Sequence, residues 1–304
     1  LFLDSHNAIF RTLYTSTKQN ELHQIEDNTF AFFKYLYLQN LIKLIEHFEP
    51  TKVVIAIDSK MNWRKKVYPE YKAQRKANRD KSTVDFDVFF PILDDFMEDL
   101  KQTFTNIYFL KLDECEGDDI IGVLAKHYHQ QDIASIIVST DRDMYQLQRY
   151  KNVKQFDPKN RKLAISINPI VELECKIITG DKGDNIPAIK PKCGPVTAAS
   201  LIKKDYVQTI RELEESIYEG VLNESTLTDE QKEQREHYKN YLRNQTLIDF
   251  EYIPNHIQFL ITNSLNTYTL EKFNSRKLLN LIVKHRLSSF LDNIQEITAT
   301  IGKI

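Results

Sequence analysis

Short runs of β-branched and aliphatic residues, alternating with longer stretches of helical periodicity, constrain this chain more than any other feature. The runs are Leu1–Asp4, Val53–Asp58, Ile107–Leu110 and Ile136–Thr140. Between them, residues 29–48 place Phe30, Phe33, Tyr37, Leu41, Leu44, Ile45 and Phe48 at helical spacing, and residues 86–104 and 118–129 do likewise. Strand–helix alternation predicts an α/β fold: a central, mostly parallel sheet flanked by helices on both faces. After about residue 170 the pattern turns to helices alone. Residues 197–204, 206–219, 229–243, 255–263 and 270–285 read as helical, and 220–230 as a polar loop. The expected division is residues 1–178 for the α/β part and 179–304 for an all-helical part.

In an open parallel sheet the reactive groups sit at the carboxyl ends of the strands. Here those ends are aspartates. Asp4 closes the first run, Asp58 the second, and Asp141 and Asp143 follow the last. A single such residue is usually a helix cap. Several on one sheet edge repel one another, and a metal ion is the simple remedy.

The acids form short groups: Asp4; Asp58; Glu116, Asp118 and Asp119; Asp141 and Asp143; Asp181 and Asp184. Magnesium takes oxygen ligands and keeps waters and substrate phosphates in its shell. Two such ions activate a water and stabilise the leaving oxygen of a phosphodiester. The histidines show no comparable grouping, and Cys115, Cys175 and Cys193 have no zinc or disulfide spacing, so a reducing cytoplasmic setting is expected.

Charge is distributed unevenly. The whole chain has a net charge of −2, but residues 60–81 carry nine basic residues against Glu70 and Asp80, a local +7. A basic segment facing an acid cluster suits a polyanion cut with metal help, although charge runs are commonly just solvated helices. Five of the seven glycines fall between positions 117 and 194, where tight turns or close approach to phosphate are expected. No apolar run approaches a membrane span. The chain begins on a strand without a Met, so it reads as lacking a signal peptide and a few native residues are expected before Leu1.

Taken in order, Asp4 in Leu-Phe-Leu-Asp, Asp58 in Ile-Ala-Ile-Asp, Glu116-Gly-Asp-Asp, Ser139-Thr-Asp-Arg-Asp and Thr179-Gly-Asp-Lys-Gly-Asp-Asn-Ile-Pro resemble the motifs of the structure-specific 5′ nucleases. That family includes flap endonucleases and the 5′-nuclease domains of bacterial DNA polymerase I. Residues 247–254 and the helical tail look like the C-terminal part of the T-even-phage-type ribonuclease H. The resemblance implies a PIN-like 5′-nuclease core with a basic helical arch at 59–84, and a helix-hairpin-helix-like duplex clamp at 181–204. It implies two Mg2+ ions, with Mn2+ substituting. Asp4, Asp58, Glu116, Asp118 and Asp141 match the first-metal ligands, and Asp143, Asp181 and Asp184 the second-metal side; Asp119 belongs to the same motif.

Lys72, Arg75 and Asp143 are the expected catalytic residues. The resemblance makes Arg64, Lys65, Lys66, Tyr71, Lys72, Arg75 and Lys76 arch contacts to nucleic acid, with Tyr71 stacking on a base. In the clamp, Lys190, Lys192, Gly194 and Thr197 would hold duplex phosphates. Relatives often hold K+ there, but residues 188–198 are one residue longer than the family pattern and lack its first two glycines and the Lys before Thr197. The implied activity is 5′→3′ exonuclease and flap endonuclease cleavage of RNA–DNA hybrids and of flapped or nicked duplex DNA, which removes RNA primers during lagging-strand synthesis. The implied setting is the bacterial host cytoplasm, as a phage-encoded monomer with a single-stranded DNA-binding protein or a sliding clamp as partner.

Three other readings are weighed. A PIN-like endoribonuclease acting on single-stranded RNA normally lacks the basic insertion and the clamp. A branch-binding protein with a degenerate site would have lost some of the acids. An unrelated phosphatase leaves residues 60–81 and 181–204 unexplained.

Overall fold

Period-two alternation along the strands fills both faces of the sheet. In β1 (Phe2–Asp4) and β2 (Val54–Ile57), Leu3 and Ile55 enter one apolar core while Phe2, Val54 and Ala56 enter the other. The structure, a computed structural model, describes residues 1–23, 30–75, 82 and 84–304. β3 (Tyr108–Lys111), β4 (Ser135–Val138), β5 (Val153–Asp157) and β6 (Lys162–Ala164) complete a six-stranded sheet in the order β3-β2-β1-β4-β5-β6. All pairings are parallel except β5 with β6. The register aligns Leu3 with Ile55 and Val138, and Ile55 with Phe109, so the ends of β1, β2 and β4 lie side by side.

On one face lie α1 (Ser5–His23), α2 (Ala31–Phe48) and α4 (Phe86–Thr103), joined by the late helices α11 (Ser275–Lys284) and α12 (Ile294–Ile301). The other face is covered by α5 (Gly117–Gln130), a 3-10 segment at Arg142–Arg149, and α10 (Asn255–Thr267). A third apolar cluster binds α6 (Pro169–Thr179), α7 (Pro195–Lys203) and α9 (Asp229–Ile248), with α8 (Tyr206–Tyr218) against them. The short α3 (Arg64–Val67) follows β2. The change at residue 170 therefore marks a change of secondary structure, while the chain beyond 250 returns to both faces of the sheet.

The four predicted strands and the helices between them are present, with ends shifted by one or two residues. No range for α1, β5, β6, α6 or α12 was read from the sequence. Of the expected arch, residues 76–81 and 83 lie outside the described residues, and Lys76 with them. In the expected clamp, the chain from Gly180 to Gly194 joins α6 to α7 without regular structure beyond a bridge between Asp181 and Ile186.

Candidate active site

The ends of three adjacent strands bring Asp4, Asp58 and Asp141 within reach of one another's charge. Asp4, at the end of β1, is buried; its carboxylate accepts from the Asn7 N–H at 3.0 Å and from the Ser139 hydroxyl at 2.7 Å. Asp58, just past β2, accepts from the Gly117 N–H at 2.8 Å and meets His6 Nδ1 at 3.1 Å. Gly117 eases this approach, because a Cβ would lie 3.1 Å from the Ala56 carbonyl oxygen and from Asp58 Oδ1, and one of them would have to give way by a little. Past β4, Asp141 caps the 3-10 segment by accepting from the Asp143 N–H at 2.8 Å. Glu116, Asp118, Asp143, Asp181 and Asp184 line one cleft, and the charges of Asp4, Asp58 and Asp141 bear on Asp118 there.

The carboxylates are not electrostatically alike. Burial raises Asp4 to about 6, and the charges of Asp58 and Asp141 add to this. Burial also lifts Asp118 well above the ordinary range, reinforced by Asp4, Asp141 and Asp58. Asp143 is raised as well, by burial and by Asp141, despite the Lys176 ammonium. Asp58 goes the other way: burial would raise it, but the hydrogen bond and charge of His6 and the Gly117 N–H hold it at about 2. Glu116 is held below its usual range because Lys72 and Arg64 outweigh its burial.

Crowded acids that raise one another are undersupplied with positive charge. Their donors are all oxygens, which suits a hard divalent cation. Asp4, Asp118 and Asp141 have no cationic side chain paired to them among the described residues, whereas Glu116, Asp143, Asp181 and Asp184 do. The residues therefore fit a metal centre.

Lys176, in the last turn of α6, was not singled out from sequence. Its ammonium bridges Asp143 and Asp181, at 2.7 Å from the latter. A lysine inside an amphipathic helix looks like a surface residue, and only its place one turn before Gly180-Asp181 hinted otherwise. His6, Asn7 and Ser139, which position Asp4 and Asp58, were missed too.

Several expected roles change. Asp119 was expected to be a metal ligand. It is fully buried, meets Arg64 at 2.8 Å and the Trp63 indole N–H at 3.2 Å, and caps α5 by accepting from the Glu116 N–H at 2.8 Å. Those contacts engage both its oxygens, so it anchors the helix start. Arg64 was expected to touch nucleic acid. It is buried, bonding Glu116 at 3.1 Å and the Leu247 carbonyl at 2.8 Å and stacking on Trp63. Tyr71, expected to stack on a base, is buried; its hydroxyl donates to Glu116 at 2.8 Å and approaches Asp184 at 3.1 Å.

Lys72 and Arg75 do reach the cleft. Lys72 pairs with Glu116 and lies 3.7 Å from Asp184, while the half-exposed Arg75 bonds Asp184 at 2.9 Å. Lys65 and Lys66 are exposed nearby, Lys66 on Glu114. Lys190, Lys192, Gly194 and Thr197 lie together ahead of and inside α7, with Gly194 as its exposed N-cap and Lys190 over the Tyr206 ring.

A separate triad of Asp95, Asp99 and His285 lies between α4 and α11, where Lys284 neutralises both aspartates at 3.0 and 2.5 Å.

No helix among the described residues is long and apolar enough to cross a membrane. The family described as 5′-3′ exonuclease, N-terminal resolvase-like domain, matches residues 1–172, and the one described as T4 RNase H, C terminal, matches residues 168–297. Ribonuclease H of Enterobacteria phage T4 is 31% identical over 256 residues, covering 81% of this chain and 79% of that protein. Flap endonuclease Xni of Shewanella denitrificans is 26% identical over 67% of this chain and 77% of its own. Among solved structures, the T5 5′-exonuclease with bound divalent metal ions superposes with a TM-score of 0.64 at 19% identity, covering 88% of this chain and 98% of that one. With strand-end acids whose charges act on one another and family matches along nearly its whole length, the chain belongs to the 5′-3′ exonuclease family of metal-dependent nucleases, in the branch of T4-type ribonuclease H.

Proposed function

We propose that this enzyme removes RNA primers and 5′ flaps, acting as a 5′→3′ exonuclease and flap endonuclease on RNA–DNA hybrids and on branched or nicked duplex DNA in the host cytoplasm. One observation carries the reading: Glu116, Asp118, Asp143, Asp181 and Asp184 line one cleft, the charges of Asp4, Asp58 and Asp141 bear on Asp118 there, and Lys72 and Arg75 pair with its acids. Residues 1–178 serve as the nuclease core and 179–304 as the helical, duplex-holding part.

The reaction is phosphodiester hydrolysis: the oxygen of water bonds to phosphorus, the bond to the 3′-oxygen breaks, and a 5′-phosphate is left. Two Mg2+ ions, replaceable by Mn2+, supply positive charge against the attacking and leaving oxygens when bound. Asp4, Asp58, Glu116, Asp118 and Asp141 would hold the first, and Asp143, Asp181 and Asp184 the second.

The protein's own groups do the rest. Ser139 and the Asn7 N–H fix the Asp4 carboxylate, and the Gly117 N–H fixes Asp58. Tyr71 ties Glu116 to Asp184 and thereby relates the two halves of the site. Lys72 and Arg75 rest on those same carboxylates without substrate, and a scissile phosphate gives them a second anionic partner. There they stabilise charge that grows as the bond breaks. The exposed start of α7, with Lys190 and Lys192 before it, offers N–H groups and cations to the duplex backbone.

Single-turnover cleavage of a 5′-flap duplex, beside the same sequence as single-stranded RNA, tests the assignment. The flap should be cut at least about tenfold faster, and Lys72→Ala should slow cleavage about 100-fold with affinity within a few-fold. Equal cleavage of single-stranded RNA would instead indicate a single-strand endoribonuclease.

A further inference from the structure

The sheet ends at β6, whose outer edge pairs with no other strand among the described residues. Beyond it the chain does something unusual for a free edge. Residues 163–171 contain no charge. Leu163, Ile165, Ile167, Ile170 and Val171 are 42, 76, 99, 64 and 42% exposed. Between two of them Ser166 is buried, its N–H bonded to Gln148 at 2.9 Å and its hydroxyl to Glu172 at 2.7 Å. The segment is thus pinned at its centre with Ile165 and Ile167 turned outward. Its aliphatic surface, roughly 500 Å², is at the upper end of what a monomer leaves in water.

A basic rim borders this patch. Residues 151–162 carry Lys151, Lys154, Lys159, Arg161 and Lys162 against Asp157, a local +4. All five cations are exposed, and Asp157 is occupied by the N–H groups of Lys159 and Asn160 and by the Asn160 side chain. Lysines commonly guard a sheet edge against unwanted pairing. Here they stop at Lys162, and the most exposed aliphatics follow unguarded.

The charge decides among occupants. A second copy paired edge to edge would set this rim against itself. Single-stranded nucleic acid would engage the cations but needs aromatic stacking platforms, and the exposed apolar residues are all aliphatic. An extended peptide satisfies both features, adding a strand outside β6 with aliphatic side chains on the patch and carboxylates on the rim. We propose that this edge docks a partner protein through an extended segment that alternates aliphatic and acidic residues.

A random peptide library selected on the intact chain and counter-selected on the Ile165→Asp/Ile167→Asp variant tests this. Enriched peptides should alternate aliphatic residues with Asp or Glu and weaken about tenfold or more on that variant. The same peptides should weaken about tenfold on Lys154→Glu/Lys162→Glu, which leaves the aliphatics in place, and with added salt. Both variants should retain flap cleavage within about twofold of the parent. Three results overturn the proposal: no peptide that prefers the parent chain, enriched peptides without acidic residues, or loss of self-association or single-stranded DNA binding as the main effect of the variants.

Discussion

Removing one negative charge from the site should stabilise the metal-free protein. Asp4 is 3% exposed, and burial first, then Asp58 and Asp141, raise its carboxyl from 3.8 to about 6. That difference corresponds to ~3 kcal/mol between the two protonation states. Because the folded-state value lies above the unfolded one, the stability contributed by the protonated group is complete below 3.8 and is lost as pH rises through about 6. Asp4→Asn removes the charge and keeps an acceptor for the Asn7 N–H, but it disturbs the Ser139 hydroxyl, which costs about 1 kcal/mol. The net gain is then ~1–2 kcal/mol at pH 7.5 in EDTA, or a rise in Tm of roughly 2–3 °C. At pH 4 the gain should vanish or turn into a small loss. Saturating magnesium should reverse the order, because the parent gains a bound cation that the variant holds poorly. Thermal unfolding followed by circular dichroism at both pH values, with EDTA and with magnesium, measures all of this. A variant no more stable than its parent at pH 7.5 in EDTA would refute the argument that the site is crowded with unbalanced charge.

Other perturbations separate positioning from chemistry. Tyr71→Phe removes the hydroxyl shared by Glu116 and Asp184 and should lower kcat about tenfold or more, with a stability loss no larger than the ~1.5–3 kcal/mol of a hydrogen bond to a charged group; an unaltered kcat would remove Tyr71 from the site. Arg64→Met strands Glu116 and Asp119 without their shared partner and should cost ~3–5 kcal/mol in urea unfolding. A loss below about 1 kcal/mol would mean that water replaces the guanidinium. Gly180→Ala places a Cβ 2.3 Å from the Ile186 carbonyl at φ +69°, so it should either cost more than about 2 kcal/mol or shift the loop carrying Asp181 and Asp184. Calorimetry together with magnesium titration distinguishes those two results from no effect at all.

What the sequence made legible follows from which interactions are local. Asp4, Asp58, Asp141 and Asp143 were visible because the end of a parallel strand is a position that the chain itself announces. Asp181 and Asp184 were visible because a motif carries them. The roles of Arg64 and Tyr71 were hidden, since nothing in a basic run says that one guanidinium turns inward to the Leu247 carbonyl, 183 positions away. Lys176 was hidden for the same reason: its partners Asp143 and Asp181 come from two other segments. Asp119 was misread because a helix-start acid can cap or coordinate, and only the packing of Trp63 and Arg64 decides which. Among the elements, β5 and β6 escaped because Lys154, Gln155 and Lys162 interrupt the apolar pattern, and α6 escaped although Asn168 caps it and Pro169 opens it.

The acid cleft is proposed as a metal-dependent site for cutting nucleic acid at 5′ ends. Cleavage of a 5′-labelled RNA–DNA hybrid and a 5′-flap DNA, with magnesium and with EDTA, beside the Asp143→Asn protein, addresses it most directly. Short 5′ products should require magnesium and disappear in the variant while branched-DNA binding stays within a few-fold. Binding of both substrates without cleavage of either would contradict it and leave a branch-binding protein.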